Sequence, residues 1–324
     1  MSSRRILVTG ATGFVGSEIL ARARAGGIHA RSLSRRAVKA LSSPDDYVLA
    51  DWTKDQERLG DVVEGMDAVI HCASVVHRPG APSEEYVRFN VEASRALAAA
   101  CRARSVPRLV FLSTIKVYGE TPAGTIDEST PVAPESPYAR TKLEAEEMLD
   151  RAAHGGGPEL VVLRLCPVFG VGDKGNVRTM IRAIARRRFA VPGDGSNKKS
   201  LVHVSTVAEV ALAACTRGRG TFVVADRDVP SVAELSDTIA REVNKPRPLR
   251  VPAPLLYFAA GGFEVGYRVL RREPRINRAL IRKSLLPSVC NPARVEADLQ
   301  VPCHRDLREA IREEVAWLRQ IGEI

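Results

Sequence analysis

Within its first sixteen residues the chain runs from an apolar segment, Arg4–Thr9, through Gly-Ala-Thr-Gly-Phe-Val-Gly into an amphipathic stretch, Gly13–Ala25. Three glycines in that position, Gly10, Gly13 and Gly16, constrain the fold more than any other feature. Gly10 permits a tight turn at a strand end, Gly13 lets backbone approach a pyrophosphate, and Gly16 lets the helix pack close to the strand. The helix N-terminus then offers unpaired N–H groups and a positive partial charge to phosphate oxygens. Strand, loop and helix in this order define a dinucleotide-binding unit. Its expected contacts are Gly10, Thr12, Gly13, Phe14, Val15 and Gly16.

The remainder continues the alternation. Strands are predicted at Arg4–Thr9, Ala30–Ser34, Tyr47–Ala50, Ala68–His71, Arg108–Ser113, Glu159–Leu165 and Gly220–Ala225. Helical patterns cover Gly13–Ala25, Pro82–Arg104 and Pro137–Ala153. The strands are continuous apolar runs, as burial on both faces requires, so a doubly wound parallel α/β sheet (a Rossmann fold) is expected. From about Gly170 the pattern loosens into Gly-, Asp- and Lys-rich loops and Pro-interrupted helices. Two interleaved units follow: residues 1–170 plus about 201–230 for the dinucleotide, and about 171–200 plus 231–324 as a smaller substrate-binding part. Ligands should sit at the carboxyl ends of the strands.

Composition narrows the class. A chain of 324 residues with 45% hydrophobic and 27% charged residues is neither disordered nor fibrous. The formal charge of +10 would suit nucleic acid, anionic lipid or a phosphorylated substrate. No helix-turn-helix or aromatic-interleaved basic surface is present, so no nucleic-acid partner is expected. Cysteines at 72, 101, 166, 215, 290 and 303 have neither zinc nor redox spacing, so no metal is expected and the thiols read as reduced and buried. No signal-peptide pattern is present, and the apolar stretch Val251–Phe263 is interrupted by Pro252, Pro254, Gly261 and Gly262. The expectation is a soluble, cytoplasmic protein without stable membrane insertion. Seven basic residues between Arg268 and Lys283 alternate with Leu270, Ile276, Leu280 and Ile281. They read as a solvated face over core, with weak peripheral contact to anionic membrane as the alternative.

Two further clusters carry chemistry. Strand two ends in Ser34-Arg35-Arg36 with no acid, which favours NADP over NAD, unless the arginines are simply solvated. Asp51-Trp52 is an expected adenine-edge contact. Tyr138 and Lys142, four residues apart after Pro137, share a helix face. A neighbouring ammonium and a bound nicotinamide's charge would lower the phenol pKa from about 10, making Tyr138 a usable acid/base. Ser113 and Thr114 end a strand where a hydroxyl can meet the substrate oxygen.

With these residues in hand, the chain resembles the extended short-chain dehydrogenase/reductases, the NAD-dependent epimerase/dehydratase group, over nearly its whole length. His71-Cys-Ala-Ser74 is similar to the family's His-x-Ala-Ala strand end, which places Cys72, Ala73 and Ser74 along the cofactor. Asn90 falls on the family's helix asparagine. Phe111-Leu-Ser-Thr-Ile-Lys-Val-Tyr-Gly119 places the catalytic hydroxyl on Thr114. Arg164-Leu-Cys-Pro-Val-Phe-Gly170 is similar to the turn beside the nicotinamide and implies Pro167 and Val168 as contacts. Pro192-Gly-Asp-Gly195 and Leu201-Val-His-Val204 are similar to the nucleotide-sugar segment. The resemblance implies substrate contacts at Val76, Thr114, Asn176 and Lys199, an NAD(P)(H) cofactor and a UDP-sugar substrate. It also implies a possible homodimer and hydride transfer at C4 in surface polysaccharide biosynthesis, as a 4-epimerase or 4-ketoreductase.

Departures qualify this. The family's 4,6-dehydratases carry Asp-Glu after the catalytic Thr, where this chain has Ile115 and Lys116, so dehydration is not expected. Lys199 replaces an arginine and loses its fork geometry. His77 reads as a loop residue and His203 as a core residue. The rival expectations are a reductase or dehydrogenase of an apolar hydroxyl compound (steroid- or hopanoid-like), suggested by Leu255–Phe258, and a non-catalytic NADP sensor, against which the retained Tyr138/Lys142 pair argues.

Overall fold

The computed structural model describes residues 4–34, 47–49, 58–76, 82–120, 122, 124–258, 260–261 and 278–324. Its centre is a parallel sheet of seven strands: β1 (Arg5–Thr9), β2 (His29–Ser34), β3 (Tyr47–Leu49), β4 (Ala68–His71), β5 (Arg108–Thr114), β6 (Glu159–Leu165) and β7 (Gly220–Val224). Their order across the sheet is β7-β6-β5-β4-β1-β2-β3, and every neighbouring pair is parallel. All seven predicted strands form, with ends shifted by a residue at most. The longer helices are α1 (Phe14–Ala25), α2 (Ala93–Ala103), α3 (Pro137–His154), α4 (Asn176–Ala185), α5 (Val204–Ala214), α6 (Val232–Glu242) and α7 (Leu307–Gln320).

The continuous apolar strands feed two cores because successive side chains point to opposite faces. Ile6, Val8, Ile70, Val110, Leu112, Val161 and Leu163 join α1 and α5 on one side. Leu7, Leu33, Val69, Leu109, Phe111, Leu160 and Val162 join α2 and α3 on the other. A third cluster holds the smaller lobe together: Ile181 and Ile184 of α4, Leu235 and Ile239 of α6, and Ile311, Val315 and Leu318 of α7.

Two sequence expectations need correction. Residues beyond 231 do not all belong to the smaller lobe, since Cys290, Val295, Leu299, Val301 and Cys303 pack into the main core with Phe222. The long helix expected over Pro82–Arg104 is three pieces: Ser83–Tyr86, a π-helical turn at Val87–Glu92, and α2. Inserted π turns redirect side chains and recur at functional sites.

Short parallel ladders cross-link the loops. Val168–Phe169 pairs with Val202–His203, Ala190–Pro192 with Leu249–Val251, and Thr125–Ile126 with Val289–Cys290. Among the described residues, no helix is long and apolar enough to cross a membrane, and no cluster of three or more His, Cys, Asp or Glu could hold a metal. All six cysteines are free, and all except half-buried Cys72 are buried. His203 is buried and caps α5, its ring accepting from the Ser205 backbone N–H at 3.3 Å.

The helix α3 is fastened to the sheet by charge. Glu146, buried in α3, accepts a hydrogen bond from the Ser113 hydroxyl and pairs with buried Arg164 of β6, whose NH2 group lies 2.6 Å away. Removing one member of such a pair strands the other in a dry environment, at a typical cost of about 3–5 kcal/mol. Glu146→Ala should therefore lower unfolding stability by that order in a denaturant titration, and Glu146→Gln should lose less. A loss below about 1 kcal/mol for Glu146→Ala would contradict this account.

Candidate active site

The strand order reverses beside β1, where β1 lies between β4 and β2, and such a switch point leaves a crevice at the strand ends. Gly10 lies there with φ +66°, and a Cβ on it would sit 2.7 Å from the Ala73 backbone nitrogen. A Cβ on Gly16 would collide with the Gly10 carbonyl. Gly13 heads α1 without any side-chain cap. The result is a cradle of backbone with an open helix N-terminus, which fits the pyrophosphate of a dinucleotide.

Thr9 and His71, side by side in register on β1 and β4, build the floor. Ser94 donates its hydroxyl proton to the Asn90 carbonyl at 2.7 Å, so it receives the proton of His71 Nε2 at 2.9 Å. His71 Nδ1 therefore accepts from Thr9 Oγ1 at 2.7 Å, and Thr9 in turn accepts from the Ala73 N–H at 3.3 Å. Burial, helped by the charge of Lys142, pushes the imidazole down to about 3 and keeps it neutral.

Asn90 sits in the π turn and is almost fully buried. Its Oδ1 accepts from Ser74 Oγ at 3.0 Å and Val75 N–H at 2.9 Å. Its Nδ2 donates to the Val75 carbonyl at 3.2 Å and to Thr141 Oγ1 at 3.1 Å. One side chain thus clips the loop after β4 to the first turn of α3.

That turn begins with Ser136, which accepts from the Ala139 N–H at 3.2 Å, and with Pro137, pre-set for helix entry. Tyr138 and Lys142 follow on one face. Lys142 is 1% exposed, its Nζ lying 3.8 Å from the centre of the Phe111 ring. The expected lowering of the Tyr138 pKa by Lys142 does not occur among the protein's own groups. Burial pushes the phenol up to about 12, with only the neighbouring Ser74 hydroxyl opposing. Burial also pushes Lys142 down to about 7, against the pull of Glu146 and Cys72. A half-neutralised lysine has little charge to lend.

The remaining predicted residues fall as follows. Thr114 closes β5, accepting from the Lys116 N–H at 3.3 Å, while Ser113 is committed to Glu146 and has no proton left for a substrate oxygen. Ser34 is buried at the end of β2. Cys72, Ala73 and Ser74 line the loop above β4, with Val76 61% exposed beyond them. Pro167 and Val168 lie between β6 and the Val202–His203 ladder. Asn176 is exposed at the first turn of α4, and Lys199 Nζ donates to the Lys283 carbonyl at 3.1 Å. Arg35, Arg36, Asp51, Trp52 and His77 lie outside the described residues, as does most of the 268–283 stretch.

Fold and site together describe a Rossmann-type protein with a half-buried Tyr138 and a buried Lys142 beside a cradle suited to a dinucleotide. Residues 6–225 match the NAD dependent epimerase/dehydratase family, and the chain belongs to it. It is 26% identical over 285 residues to the N-acetyl-alpha-D-glucosaminyl-diphospho-ditrans,octacis-undecaprenol 4-epimerase of Escherichia coli O157:H7, covering 86% of this chain and 84% of that protein. It is 32% identical over 221 residues to the dTDP-glucose 4,6-dehydratase of Streptomyces niveus, covering 62% of this chain and 66% of that one. Among solved structures, MoeE5 in complex with UDP-glucose and NAD superposes with a TM-score of 0.77 at 25% identity, covering 98% of this chain and 99% of that one.

Sequence reasoning named the glycines, Tyr138, Lys142 and Asn90 as candidates, and the structure puts them on the loop after β1, the start of α3 and the π turn. It missed the Glu146–Arg164 pair, whose partners are 18 residues apart on different elements. The only available signal was a Glu four residues after Lys142.

The depressed Lys142 has a thermodynamic consequence. Between about 7 and its ordinary 10.5, the unfolded chain binds a proton that the folded chain lacks, so this residue's contribution to stability rises with pH across that window. Lys142→Met should therefore be more stable than the parent at pH 6 and lose that advantage by pH 10. Parallel stability curves for the two proteins would contradict it.

Proposed function

We propose that this chain is an NAD(P)-dependent enzyme that moves hydride at C4 of a UDP-linked sugar, as a 4-epimerase or a 4-ketoreductase in surface polysaccharide biosynthesis. What supports the reading is the placement of the Gly10–Gly16 cradle after β1 and of Thr114 at the end of β5, with Asn90 clipping the loop after β4 to the first turn of the helix that carries Tyr138 and Lys142. The E. coli and MoeE5 likenesses, one named for a sugar 4-epimerase and the other solved with UDP-glucose and NAD, support the substrate class.

In this reading Gly10, Thr12, Gly13, Phe14, Val15 and Gly16, with Cys72, Ala73 and Ser74 and with Pro167 and Val168, would hold the cofactor. When bound, it supplies a nicotinamide that accepts or returns hydride and whose positive charge favours ionised Tyr138. Tyr138 takes the C4 hydroxyl proton in oxidation and gives it back to the keto oxygen in reduction. Thr114 orients that oxygen. Lys142, charged or neutral, would hold the nicotinamide ribose through its N–H groups. Val76, Asn176 and Lys199 face the sugar nucleotide.

The family's 4,6-dehydratases carry Asp-Glu directly after the catalytic Thr to eliminate water. Ile115 there is a buried hydrocarbon and Lys116 an exposed cation, which argues against a 4,6-dehydratase despite the Streptomyces relative. The choice of NADP through Arg35 and Arg36 belongs to the same proposal.

The test combines the purified chain with a UDP-4-keto-6-deoxy-N-acetylhexosamine and NADPH, and separately with UDP-GlcNAc. Stoichiometric loss of NADPH absorbance marks a 4-ketoreductase, and conversion of UDP-GlcNAc to UDP-GalNAc marks an epimerase. Silence in both arms overturns the sugar reading in favour of an apolar hydroxyl substrate. Tyr138→Phe should lower turnover by about 10²–10⁴-fold with cofactor affinity nearly unchanged. Parental rates in that variant would refute the assigned mechanism.

A further inference from the structure

Among the described residues, three strongly exposed apolar side chains fall close together in one segment: Leu249 at 79%, Leu255 at 61% and Phe258 at 84%. Leu255 and Phe258, three apart in the helical stretch 253–258, share a face. That stretch follows directly on the strand Leu249–Val251, whose ladder with Ala190–Pro192 ties it to the segment leading into Pro192–Gly195. Side chains of this size left in water forfeit the free energy that burial returns, and a cluster of them on a surface marks a place of interaction.

What surrounds them is basic. Residues 244–261 hold Lys245, Arg247 and Arg250 and no Asp or Glu. The helix Arg278–Leu285 meets the same region from the other side. A Cβ on Gly261 would lie 2.4 Å from the Arg278 guanidinium, and one on Gly193 would lie 3.0 Å from the Leu285 side chain. Residues 278–288 add Arg278, Arg282 and Lys283, again with no acid. All six cations are exposed. Acids approach from other elements: Asp237 of α6 lies 3.6 Å from Arg247, Glu120 lies 3.4 Å from Lys283, and Asp194 is exposed on the turn after Pro192. The cations still outnumber them.

We propose that this face docks on an anionic lipid bilayer. Leu249, Leu255 and Phe258 enter the boundary between headgroups and acyl chains, and the surrounding arginines and lysines lie at the level of the lipid phosphates. An apolar tip set among cations matches that layered chemistry. A second copy of the same face would bring like charges together, and nucleic acid offers nothing to aliphatic side chains. The contact is peripheral, since no described helix is long and apolar enough to cross a membrane. The inference goes beyond the proposed activity and does not depend on it.

The test uses the full chain without sugar or cofactor, so its outcome is separate from the turnover assays. The protein is sedimented with vesicles of phosphatidylcholine alone and with vesicles containing about one-third phosphatidylglycerol. Binding to the anionic vesicles and not to the neutral ones is expected. The double variant Lys245→Gln, Arg282→Gln should weaken it about 30-fold, because each cation near an anionic surface contributes about fivefold. The double variant Leu255→Ser, Phe258→Ser changes exposed side chains, should melt with the parent, and should weaken binding about tenfold or more. Absence of sedimentation with anionic vesicles overturns the proposal. Unchanged binding by Leu255→Ser, Phe258→Ser also overturns it, since the contact would then reduce to the charge of any basic protein. A dimer of the parent that this same variant dissociates would assign the face to a second copy and overturn it as well.

Discussion

The buried pair of Glu146 and Arg164 is the constraint on which the site depends. It joins α3, which carries Tyr138 and Lys142, to β6, and through Ser113 to β5, which ends in Thr114. Arg164 also stacks over Tyr118, 4.8 Å from the ring centre, in the turn just after β5. The two elements that carry the candidate reacting groups, α3 and β5, thus share one ionic joint with β6. Because the joint is dry, loosening it costs far more than breaking a surface ion pair, and the spacing between Tyr138 and Thr114 is held by energy rather than by loop length.

Burial then decides the charge state of the candidate reacting groups. Tyr138 is pushed up to about 12 and Lys142 down to about 7, both because ionised forms lose their hydration inside the fold. His71 beneath them is neutral for the same reason. The free protein therefore keeps a protonated, unreactive phenol. In the proposed chemistry the positive charge that makes it a base arrives with the cofactor, which couples proton exchange to occupancy of the Gly10–Gly16 cradle. Such coupling limits proton chemistry in an unloaded site.

Asn90 shows how local backbone and site geometry are linked. As part of an uninterrupted helix its side chain would follow the α-helical stripe. The π turn at Val87–Glu92 instead aims it at Ser74, Val75 and Thr141. A buried amide with all its polar atoms engaged acts as a rigid clip, and the loop above β4 takes its shape from it. The extra residue in the turn is invisible to hydrophobic periodicity, since the apolar positions on either side still recur at helical spacing.

Read from the chain alone, the seven strands, the cradle glycines and the Tyr138/Lys142 pair were legible because each is a local matter. Alternation of side chains, positive φ at Gly10 and four-residue spacing on one helix face are properties of contiguous residues. Tertiary structure decided what depends on distant partners: the commitment of Ser113 to Glu146, the pairing of that carboxylate with Arg164, and the return of Cys290–Cys303 to the main core. It also decided the direction in which Tyr138 and Lys142 titrate. The four-residue spacing suggested a charged lysine assisting its neighbour, whereas desolvation, a property of the whole packed interior, outweighs that attraction.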